Sequence, residues 1–454
     1  MIEHIKSVFL FLLVASSLLL TYALWTYQPN FDPIEQTDYI DDSKLDGREQ
    51  SIKEVISPDR IILHDYQLHK QLKSKQEENE LYQEILTWQF TSGLRLANSA
   101  DVIDSYWQLS ESADFQYMEI LYPVNIPMNL VDQIFTVNVE NNRWSNLTFN
   151  KVYLQIRESQ NNIRVIFTSD QKEQQNVLIG EIHSQSILER VNELMDRQEG
   201  IVQLDRYDFG SGVPIYLPSG EKTVTNFTLL PTQIDPILMR NALFRNPSVV
   251  RSTSSNPFNE SNHYTDGTRA LKTYRVLNNK HERMEFINPL SSDLQPLDPI
   301  EVIRRSVNLT NDHLGWTNEF NLDAIRQKPL SSVLYRMYFN GYPIYDEMNV
   351  TVMEQVWGSN ELNKLKRPLF SINNIRNRET VLASGEAVYQ TLQNLKNQIS
   401  LESIEQIRIG YTLTASASDS SEVLTLNPEW YIKLSDSWVP ISDYSEQLMN
   451  QGVE

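Results

Sequence analysis

From residue 8 to residue 27 the chain carries no charged side chain, and this apolar run constrains the fold more than any other feature. An α-helix needs about 20 residues to cross a hydrocarbon core of roughly 30 Å, so the run is long enough to span a bilayer. A cleavable export signal has a shorter apolar stretch that ends in small residues. Here the small cluster Ala15-Ser16-Ser17 sits mid-run with Leu18, Leu19 and Leu20 behind it, so the run reads as a retained anchor. Lys6 precedes it, whereas Asp32, Glu35, Asp38, Asp41 and Asp42 come before the next basic residue, Lys44. Basic residues stay on the cytoplasmic side, which puts the N-terminus in the cytoplasm and the body outside the cell membrane.

The rest of the 454 residues suffice for two to four domains with ordinary cores. The chain has no cysteine, which excludes disulfide staples, thiolate metal sites and a cysteine nucleophile together. A net charge of −20 argues against nucleic acid and against docking on anionic lipid, since both partners call for a cationic surface.

The segments read as a cytoplasmic stub (1–7), a transmembrane helix (8–27), a linker broken by Pro29, Pro33 and Gly47 (28–50), an N-terminal α+β domain (51–198), a central α+β domain (199–295), a C-terminal α+β domain (296–443) and a tail (444–454). Apolar spacing predicts helices over 75–97 (Leu81, Ile85, Trp88), 184–195, 235–244 and 384–400 (Val388, Leu392, Leu395, Ile399). A further helix begins at Asp298, a capping residue followed by Pro299. Asn161-Asn162 and Asn340-Gly341 stand between alternating runs and predict hairpins. IRIGYTLTA, EVLTL, EWYIKL and SWVPI read as the last strands. Helix, meander, helix, meander is the order of the C-terminal part, so the fold class is α+β with antiparallel sheets and a repeated helix-plus-meander unit.

No catalytic constellation emerges. The seven histidines form no H-E-x-x-H or i, i+4 pair, and His64 and His69, five apart at a strand end, read as surface residues. S-x-x-K occurs at Ser169–Lys172 and Ser219–Lys222 without the S-D-N and K-T-G elements that accompany it in acyltransferases of the cell wall. The chain therefore reads as non-catalytic, with no metal and no cofactor. YTDGTR is the most distinctive internal motif: Asp266-Gly267 suits a tight turn, and Tyr264, Asp266, Gly267 and Arg269 are candidates for a partner-binding loop.

IKSVFLFLLVASSLLLTYALWTYQPN at the N-terminus, YTDGTR followed by MEFINP, and YFNGYPIY with downstream LASGEAVYQTL resemble the YycH (WalH) family of two-component-system regulators. The resemblance runs from the anchor to the last strands. It implies a single-pass membrane protein with extracellular domains that associates with the companion protein YycI and with the sensor histidine kinase WalK (YycG), in a system controlling cell-wall metabolism. Helices in lipid associate through close packing and polar contacts, for which small and hydroxylated residues are suited. Ala15, Ser16, Ser17, Thr21 and Ala23 supply them, with Ser17 and Thr21 at i, i+4, so this face is the expected docking surface for a kinase or companion helix. The alternative is an anchored extracellular binding module for a peptide or a cell-wall ligand.

Overall fold

The structure, a computed structural model, describes residues 13–21, 43–98, 115–139, 144, 146–170, 174, 176–254, 262–276, 281–289, 296–415, 423–435 and 437–444. The chain divides into two units, residues 1–42 and residues 43–454. In the first, residues 13–21 are helical. Among the described residues no helix is long and apolar enough to cross a membrane, and most of the 8–27 run lies outside them.

The second unit holds two sheets. Nine strands make the first: β1 (Arg60–Asp65), β2 (Leu68–Leu72), β3 (Arg95–Asn98), β4 (Gln116–Pro127), β5 (Thr148–Arg157), β6 (Asn162–Thr168), β7 (Asn176–Ile182), β8 (Ile201–Tyr207) and β9 (Ile215–Pro218), in the order β3-β7-β6-β5-β4-β1-β2-β8-β9. All its pairs are antiparallel. One face is covered by α1 (Lys75–Thr87) and α2 (Gln185–Asp196), which bury Leu81, Tyr82, Ile85 and Leu86, and Leu188, Val191, Leu194 and Met195. Alternation along a strand sends Ile61 and Leu63 into that core and Ile62 to the opposite face, where it joins Leu121, Leu204 and Tyr216 in a separate small cluster.

The second sheet has 14 strands: β10 (Lys222–Gln233), β11 (Arg251–Ser254), β12 (Asn262–Thr265), β13 (Ala270–Val276), β14 (His281–Ile287), β15 (Glu319–Arg326), β16 (Ser331–Phe339), β17 (Tyr342–Tyr345), β18 (Val352–Trp357), β19 (Leu362–Pro368), β20 (Phe370–Leu382), β21 (Ile404–Ala415), β22 (Leu424–Leu434) and β23 (Ser437–Pro440). The path is β11-β12-β13-β14-β19-β18-β16-β17-β21-β22-β10-β20, with β15 beside β16 and β23 beside β22. The expectation of antiparallel pairing meets one exception, the parallel pair β17–β21. The helices α3 (Pro236–Leu243), α4 (Pro299–Asp312) and α5 (Gly385–Asn394) accompany this part of the chain. Asp298 caps α4 by accepting from the Ile300 amide, and Ser384 caps α5 through the Ala387 amide.

The expected boundary at 198/199 cuts the first sheet, whose last two strands lie at 201–218, and the boundary at 295/296 falls inside the second. Within the stretch read as linker, Leu45 and Gln50 are buried, and the Leu45 amide donates to the His313 carbonyl at 2.8 Å. Gly47 sits so close to the chain at Trp316 that a Cβ would lie 2.3 Å from the Leu314 carbonyl oxygen. Further on, the Leu322 amide donates to the Val55 carbonyl at 2.8 Å, and Asn321 brackets Ser57 with two hydrogen bonds at 2.8 and 2.9 Å. Gly385 of α5 lies against Leu217 of β9, and Tyr389 packs on Tyr207 of β8 with ring centres 5.0 Å apart. Segments far apart in sequence are thus interlocked.

Three local expectations are corrected. The helix expected over 75–97 ends at Thr87, because Phe90 and Thr91 give their amides to the Thr136 and Glu181 carbonyls, Ser92-Gly93 does not sustain a helix, and Arg95–Asn98 pairs with β7. The helix expected over 384–400 ends at Asn394, where the Leu395 amide turns back on Thr391 and Leu392, although Leu395 and Ile399 are buried as their spacing implies. EVLTL and EWYIKL form one strand, β22. Pro428 does not break it because β10 pairs with residues 424–426 and β23 with 431–434, leaving 427–430 with no strand paired on that side among the described residues to need its missing N–H.

Candidate functional site

The described part of the N-terminal helix presents Leu13, Val14, Leu18, Leu19 and Leu20, each more than half exposed. Ser17 and Thr21 are joined one turn apart, the Thr21 hydroxyl donating to the Ser17 carbonyl at 2.9 Å. That bond satisfies the threonine inside its own helix, so Thr21 offers a partner a compact surface more than a free donor. Ala15 and Ser16 lie on the same helix, and Ala23 is outside the described residues.

The YTDGTR motif is a closed turn between β12 and β13. The Asp266 carboxylate accepts from the Thr268 and Arg269 amides at 2.9 and 2.7 Å, and Gly267 takes φ +95°, a conformation that favours glycine. Thr265 locks the loop by donating to the Arg269 carbonyl at 2.7 Å and accepting from the Gly267 amide. Burial acts on Asp266 in the upward direction, but these amides and the Arg269 guanidinium outweigh it and hold the carboxyl below its usual range. Tyr264 and Arg269 are buried. The Arg269 guanidinium reaches Glu361 at 3.6 Å, and Glu361 also accepts from Asn288 at 2.9 Å and pairs with Arg245. YTDGTR and INP, separated in sequence, therefore converge on one carboxylate. Of the four residues singled out in the motif, Asp266 and Gly267 shape the turn, while Tyr264 and Arg269 face inward, where a partner does not reach them directly.

A cavity of about 810 Å³ is lined by residues 123–125 of β4, by the end of β15, by residues 345–349 and by β23. Its floor is a buried ionic network. Arg336 makes two contacts with Asp323, at 2.9 and 2.8 Å, and Arg408 reaches Asp59 at 3.1 Å and Asp323 at 3.7 Å. Two guanidiniums thus meet two carboxylates. Tyr345 lies among them, accepting from Arg408 Nε at 2.8 Å, with Arg336 4.5 Å above its ring and Tyr431 stacked at 4.2 Å. Trp438 closes the group, 3.7 Å from the Arg408 guanidinium. Burial raises the Asp323 carboxyl, but Arg336 and Arg408 outweigh it and hold it ionised. Burial drives the Tyr345 phenol well above its ordinary value.

His64 and His69, read above as surface residues, are directly opposite each other across the β1–β2 hairpin, and His64 is wholly buried. Their Nδ1 atoms are 2.9 Å apart, and His64 Nε2 meets Glu119 at 3.1 Å. Tyr117 stacks on His64 at 4.2 Å, and Tyr153 donates to Glu119. The sequence reading failed here because β1 sits in the middle of the sheet, between β2 and β4, so the strand end is covered by its neighbours. Burial, then His64 and Arg206, lower the His69 imidazole to about 4. Among the described residues no group of three or more His, Asp or Glu side chains has the geometry to hold a metal ion. Of the two S-x-x-K matches, Lys172 lies outside the described residues, and Lys222 is buried with its ammonium 5.9 Å from the Tyr342 ring, lowered to about 8 by burial and by Lys75.

Sequence reading passed over Asp59, Asp323, Arg336, Arg408 and Glu361. A signal was present for the arginines: each interrupts an apolar strand run, LYRMYF or IRIGYTL, and a charge inside such a run is buried only with a partner.

Residues 3–200 match the family described as YycH protein, N-terminal domain, and residues 213–448 match YycH protein, C-terminal domain. The two-component system WalR/WalK regulatory protein YycH of Bacillus subtilis (strain 168) is 24% identical over 477 residues, covering 100% of this chain and 99% of that protein. The crystal structure of YycH from Bacillus subtilis matches with a TM-score of 0.70 at 19% identity, over 88% of this chain and 99% of that one, and so shows a common fold. With the two family matches spanning nearly its whole length, and a solved relative sharing its sheets, the chain belongs to the YycH family.

Proposed function

We propose that this chain is a non-catalytic, membrane-anchored regulator of the sensor histidine kinase WalK (YycG), acting together with YycI. The observation that carries the reading is the end-to-end relationship to a protein named as a WalR/WalK regulator. The apolar run supports it, since a continuous uncharged stretch suits a single-pass anchor with the body on the extracellular side. The exposed helix with Ser17 and Thr21 on one face is the proposed contact with the kinase or companion helix. Regulation follows if this protein binds the two signalling states of the kinase with different free energy, whichever state it favours. The YTDGTR turn acts by shape, as a rigid loop held through Asp266 and Glu361.

The test is a crosslinking pull-down from membranes with the full chain beside a version lacking residues 1–30, read by mass spectrometry. Recovery of the kinase and YycI by the full chain, with the kinase lost on truncation, supports regulation through the anchor. Recovery of neither partner by the full chain defeats it. A second reading, an extracellular binding module, is favoured by the cavity with its convergent charged and aromatic groups, and a wall-derived molecule retained by the truncated protein supports that reading instead.

A further inference from the structure

The last strand of the second sheet is an unusual edge. β20 pairs with β10 from Lys222↔Leu382 to Gln233↔Phe370, with one register shift opposite Thr228 and Leu229 that leaves Ile375 without a partner in β10, and with no other strand among the described residues. A strand at the rim of a sheet ordinarily alternates between a buried and a solvated side chain. Residues 373–379 are instead exposed seven in a row, so that both faces of the ribbon and its outer backbone edge are open among the described residues. Such an edge is a template for another strand. Arg376 and Arg378 are two apart, opposite Thr228 and Asn226 of β10, and therefore share a face. On a chain of net charge −20 this is a local cationic spot.

The charge pattern selects the occupant. In a two-fold antiparallel pairing of two copies, the arginines of one β20 approach those of the other, and like charges across a strand pair oppose association. An extended segment with a carboxylate at every second position places its charges over Arg376 and Arg378 while its backbone completes the ladder. We propose that the outer edge of β20 is a strand-addition surface for an acidic, extended segment of a partner protein. The proposal uses no residue of the N-terminal helix, so it stands or falls independently of the kinase reading.

The experiment is a fluorescence anisotropy titration of the full chain in detergent with a labelled, end-blocked nonapeptide alternating threonine and glutamate. Saturable binding is expected, weakened about tenfold or more by the double substitution Arg376→Glu/Arg378→Glu, since two favourable cross-strand pairs become repulsive. Both positions are exposed, and an unchanged thermal midpoint in the variant checks that the fold is retained. The peptide with lysine in place of glutamate should bind at least tenfold more weakly, and one N-methylated at alternate amides should not bind. Absence of saturable binding overturns the proposal, as does binding that charge reversal leaves intact. Equal binding of the N-methylated peptide shows attraction by charge without strand pairing and overturns it too. A concentration-dependent dimer abolished by the double substitution would assign the edge to a second copy instead.

Discussion

Replacing Asp323 by asparagine should be among the most damaging conservative changes in the molecule. The side chain is about 92% buried and joins Arg336 of β16 to Arg408 of β21, while Arg408 continues to Asp59 ahead of β1. In the native network Arg336 and Arg408 are balanced by Asp59 and Asp323. The substitution leaves one net positive charge with almost no water to solvate it. It also takes the charge from the one carboxylate oxygen, Asp323 Oδ2, that accepts both Arg336 contacts, so two charge-assisted hydrogen bonds worth about 1.5–3 kcal/mol each fall to the weaker neutral kind. Removing one partner of a buried pair costs about 3–5 kcal/mol, and both routes arrive at that range. With unfolding entropy near 2 cal/mol/K per residue over about 400 residues, the thermal midpoint should fall by roughly 4–6 °C. Differential scanning calorimetry of the chain from residue 43 onward reads it. Adding Arg336→Met to Asp323→Asn should recover part of the loss, because the uncompensated charge is then gone. A loss for Asp323→Asn below about 1 kcal/mol, or no recovery in the double variant, would show that solvent already screens the network and that the burial argument is wrong.

Acid should destabilise the body through His313, whose imidazole is lowered to about 3 by burial and by the neighbouring Arg367. A folded-state value below the unfolded one gives stability that is whole above about pH 6.5 and lost as pH falls toward 3. The slope of thermal midpoint against pH between 6.5 and 4 should therefore be shallower in His313→Gln, and equal slopes would exclude His313 as the proton acceptor. Glu361→Ala should loosen the motif turn by taking the carboxylate from Arg269 and Asn288, at a cost of about 1–3 kcal/mol; hydrogen exchange of amides 265–269 should speed up, and unchanged protection would show that Asp266 alone holds the turn. In the N-terminal helix, Ser17→Leu with Thr21→Leu should weaken a membrane two-hybrid signal with the kinase at equal expression, and a signal of native strength would rule out this face as the contact.

The apolar N-terminal run, the acidic character, the helix caps at Asp298 and Ser384 and the hairpins at Asn161 and Asn340 could all be read in the sequence, because each is set by neighbouring residues. A run of apolar side chains, an aspartate before a proline, or an asparagine at a tight turn acts over a few residues, and Asn161 and Asn340 do take φ of 50°. The YTDGTR turn belongs to the same class. The helix ends at Thr87 and Asn394 could not be read in this way: past Thr87 the carbonyls of the distant Thr136 and Glu181 take the Phe90 and Thr91 amides, and past Asn394 the chain tightens into local turns, Leu395 onto Leu392 and Lys396 onto Gln393. The ionic floor beneath the cavity, the Glu361 junction and the His64–His69–Glu119 chain were decided only by tertiary structure. Asp323–Arg336 and His64–His69 meet across neighbouring strands, 13 and 5 positions apart, but each group is completed by a partner far off in sequence, Asp59 being 349 positions from Arg408 and Glu119 55 from His64, and the low-dielectric surroundings make partnership obligatory. Sequence marks such residues only as charges inside apolar runs; which carboxylate meets which guanidinium is fixed by strand order, and strand order follows from how the strands of both sheets share the burial of their apolar faces.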